Sequence, residues 1–310
     1  MIRQQSLSDL IQKVEAFKRI DLSRVSPEGL RSALDDLMEG YPMRGERLAS
    51  GQRLYRGVVW SEKPVNVAQL GYPPAEVVKS LGRANNVGTS LFYCSVSFEA
   101  VHFEIPLRVG DRLAVSEWEA KEEGLIQTAG FPNAEFWTPG SPRYQRIERP
   151  DPQLLTPEAR YVNHFLAETF SRHVPKGSEH LYKASIAIAE KLFSAKVNGW
   201  RSSQFDGIKF PAVSNPTRRG SDNFVLSTAY CDRSLAVRSV RWIEVTEVDA
   251  KANKILTNAS DFANSFGPAG EIEWKGRGPQ ITGDDTGKGL LSMVDGLWQV
   301  RTAKGLIPHT

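Results

Sequence analysis

The chain has 310 residues, 40% hydrophobic and 24% charged, with a net charge of +3. This is ordinary globular composition, enough for one large domain or two small ones, and so weak a charge gives no argument for a nucleic-acid partner. No stretch approaches the ~18 consecutive apolar residues of a membrane helix, and the two cysteines, Cys94 and Cys231, make neither a disulfide framework nor a zinc-ligand spacing.

The N-terminal sequence lacks the apolar run of a signal peptide, so a cytoplasmic protein is expected, with export by a signal-independent route as the alternative. Leu7, Leu10, Ile11, Val14 and Phe17 recur at helical spacing behind Ser6. A second helix opens at Ser26-Pro27-Glu28, carries Leu30, Ala33, Leu34 and Leu37, and stops at Gly40-Tyr41-Pro42. The two are expected to form a helical hairpin, packed on the main domain or open to a partner. Arg53 to Trp60 reads as a strand, with Tyr55 and Arg56 on opposite faces. Arg56 is then an edge residue, a side chain that reaches water, or an anion ligand, since guanidinium suits phosphate. A Pro73-Pro74 break precedes a short helix expected over 75–81.

The most informative stretch runs from Gly82 to Glu104. Gly82-Arg83-Ala84-Asn85-Asn86-Val87-Gly88 reads as an irregular loop, because Gly and Asn tolerate positive φ. Leu91, Phe92, Tyr93 and Cys94 read as a short buried strand. Ser97 is placed to cap a helix through Ala100, Val101 and Phe103, and Glu104 shares the face of Ala100 and Val101. A carboxylate there is paired with an Arg, reaches the rim, or belongs to a site.

A strand is expected near Leu113-Ala114-Val115. Residues 117–153 form a long segment of low periodicity, rich in Pro, Gly and aromatics, expected to be a covering loop or a functional one. Thr156-Pro157-Glu158 starts a helix carrying Tyr161, Val162, Phe165, Leu166 and Phe170, and Leu181 to Phe193 carry the next. His164, His173 and His180 share no metal-ligand spacing, so no metal is expected. Gly207 to Pro211, Asn223 to Leu226 and Leu235 to Val248 read as strands, with a basic loop at 214–222. Beyond residue 250 the pattern weakens. The Gly-Lys pair near Gly287 lacks the spacing of a phosphate-binding loop, and Leu290 to Trp298 is a closing helix or hairpin.

Taken in order, Tyr55-Arg56, Gly82-Arg83, Gly88-Thr89, Leu91-Phe92-Tyr93, Ala100-x-x-x-Glu104, Asp206-Gly207-Ile208-x-Phe210-Pro211 and Asp222-Asn223-Phe224-Val225-Leu226 resemble the RES-domain family over roughly residues 50–245. The resemblance implies an α/β protein with a mixed sheet like that of ADP-ribosyltransferase toxins and flanking helices. With the helical periodicity before it and the weak pattern after it, the chain is expected to divide into an N-terminal helical segment (1–45), a RES-like NAD-binding domain (46–250) and a partly irregular C-terminal extension (251–310). The resemblance further implies a bacterial toxin that consumes NAD+ by cutting the nicotinamide–ribose bond, held in check by a cognate antitoxin or immunity protein. No membrane or nucleic-acid partner is implied, and a homo-oligomer stays open. Arg56 matches the family Arg, Glu104 its Glu, Arg83 its loop Arg and Tyr93 its strand Tyr. The usual Tyr-Pro-Ser is replaced by Phe210-Pro211-Ala212, so a hydroxyl has to come from Ser214.

These residue types suit that chemistry. Cleaving the N-glycosidic bond builds positive charge on the ribose, which the carboxylate of Glu104 would stabilise. Arg56 and Arg83 would hold the pyrophosphate, Tyr55 and Tyr93 would line the pocket, and Ser214 would bond a phosphate or ribose oxygen. The alternatives are an ADP-ribosyltransferase and a binding module that has lost catalysis. Against the transferase, His102 stands two residues before Glu104, where toxin-type transferases commonly carry a second acid; for the module, Ala212 stands at the serine position.

Overall fold

The computed structural model describes residues 5–43, 45–130, 156–196, 204–210, 222–249, 254–276, 288–294, 297–302 and 305–308. In chain order the elements are α1 (Leu7–Lys18), α2 (Arg31–Leu37), β1 (Gly45–Leu48), β2 (Arg53–Val59), β3 (Phe92–Ser95), α3 (Phe98–Glu104), β4 (Arg112–Ala120), β5 (Gly124–Thr128), α4 (Pro157–Ser171), α5 (Tyr182–Ser194), β6 (Gly207–Phe210), β7 (Asn223–Leu226), α6 (Thr228–Ser234), β8 (Leu235–Asp249), β9 (Lys254–Ala263), β10 (Lys288–Val294), β11 (Leu297–Thr302) and β12 (Gly305–Pro308). This is the expected α/β class, with a mixed sheet and flanking helices. No helix among the described residues is long and apolar enough to cross a membrane.

Two compact units divide the chain, each assembled from three separate segments. The first takes residues 1–48, 74–91 and 124–230. Its strands run in the order β1-β5-β6-β7, antiparallel except for the parallel pair β5–β6. A parallel pair needs a crossover, and α4 and α5 provide it. Thr156 caps α4 through its Oγ1, which accepts from the Ala159 amide at 3.1 Å. Phe170 of α4 meets Phe210 of β6 at 5.4 Å, and Phe165 meets Phe17 of α1 edge-on at 5.4 Å. The two N-terminal helices thus pack against α4 and α5. Gly130 is held at φ 76°, where a Cβ would lie 2.3 Å from the Asn163 carbonyl oxygen, so only glycine fits beside α4.

The second unit takes residues 49–73, 92–123 and 231–310. Its strands run β3-β2-β4-β8-β9-β10-β11-β12, each described pair antiparallel. The helix α3 packs on one face of β2. Ser97 caps it, its Oγ accepting from the Ala100 amide at 3.0 Å. Val101 sits in a core with Leu113, Val115, Ile243 and Val245. Gly57 admits the helix: a Cβ there would come within 2.5 Å of Val101 Cγ1 and 2.7 Å of Ile105 Cδ1.

Three expectations change. The helix over 75–81 is only a 3-10 turn, Ala75–Val77. Two adjacent β-branched residues, Val77 and Val78, resist helix, and the Val78 carbonyl accepts from the Gly88 amide at 2.9 Å instead. The start of the segment 117–153 is not loop: β4 continues to Ala120 and β5 follows, because β2, β8, β1 and β6 supply pairing partners. Residues 131–153 lie outside the described residues. The weak pattern beyond residue 250 contains a full strand, β9, selected by its ladder with β8. The closing segment takes the hairpin form, with Val294 opposite Leu297.

Candidate functional site

Arg56 lies at the middle of β2. Its neighbours there, Tyr55 and Gly57, face α3, and Tyr55 meets Phe98 edge-on at 6.1 Å. Arg56 turns the other way, with its guanidinium 5.3 Å from the Phe92 ring centroid. Two backbone carbonyls hold it: Nε donates to Gly71 O at 3.1 Å and Nη1 to Tyr93 O at 2.9 Å. Burial lowers its pKa, while Cys94, Cys231 and Tyr93 push it back up; a guanidinium stays charged regardless. Both thiols are buried and free, and burial drives them upward, Cys231 to about 12. They are therefore inert neighbours of Arg56 rather than nucleophiles. Among the described residues Nη2 has no hydrogen-bond partner.

The structure thus brings Arg56 and the Tyr93 backbone together. Tyr55, by strand alternation, is on the opposite face from Arg56. Glu104 ends α3 half-buried, beyond the fully covered Ala100 and Val101. Arg83 belongs to the other unit. Its Nη1 donates to the Phe170 carbonyl and to Arg172 O at 3.1 Å, and its guanidinium lies 5.5 Å from the Tyr182 ring centroid. Both carbonyls sit at the C-terminal end of α4, where a cation complements the helix dipole. The loop that carries Arg83 is closed by Gly82 N to Asn85 O at 3.0 Å, and Gly88 takes φ 74°. Ser214 lies outside the described residues, as do Pro211 and Ala212.

Sequence reasoning missed the buried polar set beneath α3. Glu99 is 5% exposed and His102 0%. His102 Nδ1 hydrogen-bonds Phe98 O at 3.0 Å, its ring packs 5.0 Å from Phe98, and burial pulls its pKa down to about 4. It is a neutral core residue at pH 7. Arg241 of β8 lies 5.0 Å from the Phe98 ring centroid and 6.0 Å from that of Phe262. Burial lowers its pKa, against the opposing charges of Glu117, Tyr55 and Glu99. Nothing in the local pattern marks Glu99 as the covered carboxylate. Among the described residues no group of three or more His, Cys, Asp or Glu side chains is arranged to hold a metal ion.

An α/β protein with a mixed sheet and a strand-borne, partly unspent guanidinium is the class these features define. Comparison with family models, with curated proteins and with solved structures returned no match.

Proposed function

We propose that the chain is an NAD+-consuming enzyme of the RES type, a glycohydrolase or phosphorylase. The observation that carries this reading is Arg56: anchored by two carbonyls and an aromatic ring, it keeps the two Nη2 donors for an external oxyanion. Guanidinium in that state suits a pyrophosphate. Glu104, half-buried at the end of the helix that follows β3, is the carboxylate the motif order assigns to the ribose.

In the proposed reaction the bond between ribose C1′ and the nicotinamide nitrogen breaks. Its electron pair passes to the pyridinium nitrogen, which becomes neutral and leaves without a general acid. Positive charge develops on the ribose and is met by Glu104. Water or phosphate then attacks C1′, the former giving up a proton. Tyr93 is assigned to the pocket wall and Ser214 to a phosphate or ribose oxygen, whereas Tyr55, packed on Phe98, and Arg83, spent on the end of α4, are given no part in the reaction. The same reading makes the protein a cytoplasmic toxin with a cognate antitoxin or immunity protein, without a metal.

Two readings compete. The core position of His102 disfavours the transferase, because that residue cannot serve as a second polar group in an open site. Ala212 at the serine position favours a non-catalytic NAD-binding module. Incubation of the purified protein with NAD+, with and without phosphate, separates them. Nicotinamide release that Glu104→Ala lowers by about 10²- to 10³-fold supports the enzyme, and phosphate dependence names the acceptor. Binding of NAD+ without release identifies the module.

A further inference from the structure

The first unit contains a concavity of about 340 Å³ between the start of α1, the end of α2 and the first turn of α4. That volume lies within the range of about 300–1,000 Å³ usual for small-molecule pockets. Its floor is apolar: Leu10, Leu37, Ala159 and Val162 line it, each at most 5% exposed. Its rim is polar, and most of the rim is already committed. Gln5 donates through Nε2 to Asp36 O at 2.8 Å and Glu39 O at 2.9 Å, and accepts from Lys13 Nζ at 2.6 Å. Lys13 is also paired with Asp36 at 2.7 Å. Thr156 spends its hydroxyl on the α4 cap.

Three rim groups are left over. Glu39 and Glu158 line the pocket, and among the described residues neither carboxylate has a hydrogen-bond or ion-pair partner. Tyr41, half-buried, also lines the pocket, and its hydroxyl likewise has no partner among the described residues. Burial holds that phenol above its usual range, so it is a neutral donor or acceptor. Two unneutralised carboxylates and a hydroxyl above an apolar floor match one ligand chemistry: a positively charged nitrogen on an aliphatic body. Lys13, which meets the rim at Gln5, is turned to Asp36 and does not fill that role.

We infer that this pocket is a binding site for an alkylammonium ligand, with Glu39 and Glu158 facing the ammonium, Tyr41 accepting one of its N–H bonds, and the alkyl chain on Leu10, Leu37, Ala159 and Val162. The site is separate from the NAD+ reading and does not depend on it.

The test uses the full chain and n-hexylammonium, with n-hexanol as the neutral analogue, followed by calorimetry and by the shift in thermal midpoint. Saturable binding of the ammonium, at least about tenfold tighter than of the alcohol, is expected. Glu39→Gln and Glu158→Gln, both at the rim, should each weaken it several-fold without moving the midpoint of the free protein. Ala159→Leu, which fills the floor, should abolish it; because that variant strains the core, Tyr41→Phe serves beside it and should weaken binding while leaving the fold intact. Equal binding of ammonium and alcohol, affinity unchanged in the two Gln variants, or no binding by folded wild type would each overturn the assignment.

Discussion

Arg56 and His102 carry the sharpest consequences of single residues. Arg56→Lys keeps the charge but loses the planar fork that reaches Gly71 O and Tyr93 O while leaving Nη2 for the proposed pyrophosphate. The expected outcome is a loss of NAD+ affinity of roughly tenfold or more by titration, with the fold retained in circular dichroism. His102 gives a stability prediction. Its folded pKa of about 4 lies below the ordinary 6.5, because burial disfavours the charged ring. The unfolded chain therefore binds more protons between those values, so stability is fully present above pH 6.5 and is lost as pH falls toward 4. The loss is of order 3 kcal/mol for this fully covered ring. Urea midpoints measured from pH 7 to pH 4 should fall steeply for the wild type and less steeply for His102→Leu; equal slopes would remove His102 as the cause.

At the scale of elements, two glycines decide how closely helices approach strands. At Gly57 an added methyl meets side-chain atoms of Val101 and Ile105. These can yield a little, so Gly57→Ala should cost about 1–3 kcal/mol, as overpacking does, and should displace α3 together with Glu104. At Gly130 the methyl meets backbone, Asn163 O and Ala167 N, in a positive-φ residue. Nothing there can yield cheaply, so Gly130→Ala should lower the urea midpoint more than Gly57→Ala. Nicotinamide release should separate them the other way, with Gly57→Ala losing more activity per unit of lost stability. The caps were legible directly: Ser6, Ser97 and Thr156 each accept from the amide three residues on, at 3.0–3.1 Å. The strand β5 was not, since five residues between a polar turn and an unmarked segment show no period of their own, and its place depends on β1 and β6.

Across the molecule, both units are built from three stretches of chain, so no contiguous fragment holds a whole unit. Residues 1–38 show the consequence. Leu10, Val14, Phe17, Leu30, Leu34 and Leu37 are all nearly fully covered in the first unit. At about 1.5–3 kcal/mol each, they contribute on the order of ten kcal/mol, comparable with the whole stability of a typical domain. A chain beginning at residue 39 should therefore lose the cooperative unfolding transition and bind a hydrophobic dye. A soluble, cooperatively folding truncation would show that these helices are an appendage.

The amino-acid sequence by itself determined the α/β class, the caps, the strands β2, β3, β4, β6, β7 and β8, and the alternation that sets Tyr55 and Arg56 on opposite faces. These depend on residues a few positions apart, and short-range sterics and hydrogen bonding act at that distance. Only the tertiary structure decided what each polar side chain meets. Arg83 closes a helix end formed by Phe170 and Arg172, 87 and 89 residues away. Glu99 rather than Glu104 is the covered carboxylate of α3, and His102 is core. Burial and the choice of partner are properties of distant segments brought together, and a helix of seven residues does not state which of its faces the rest of the chain will cover.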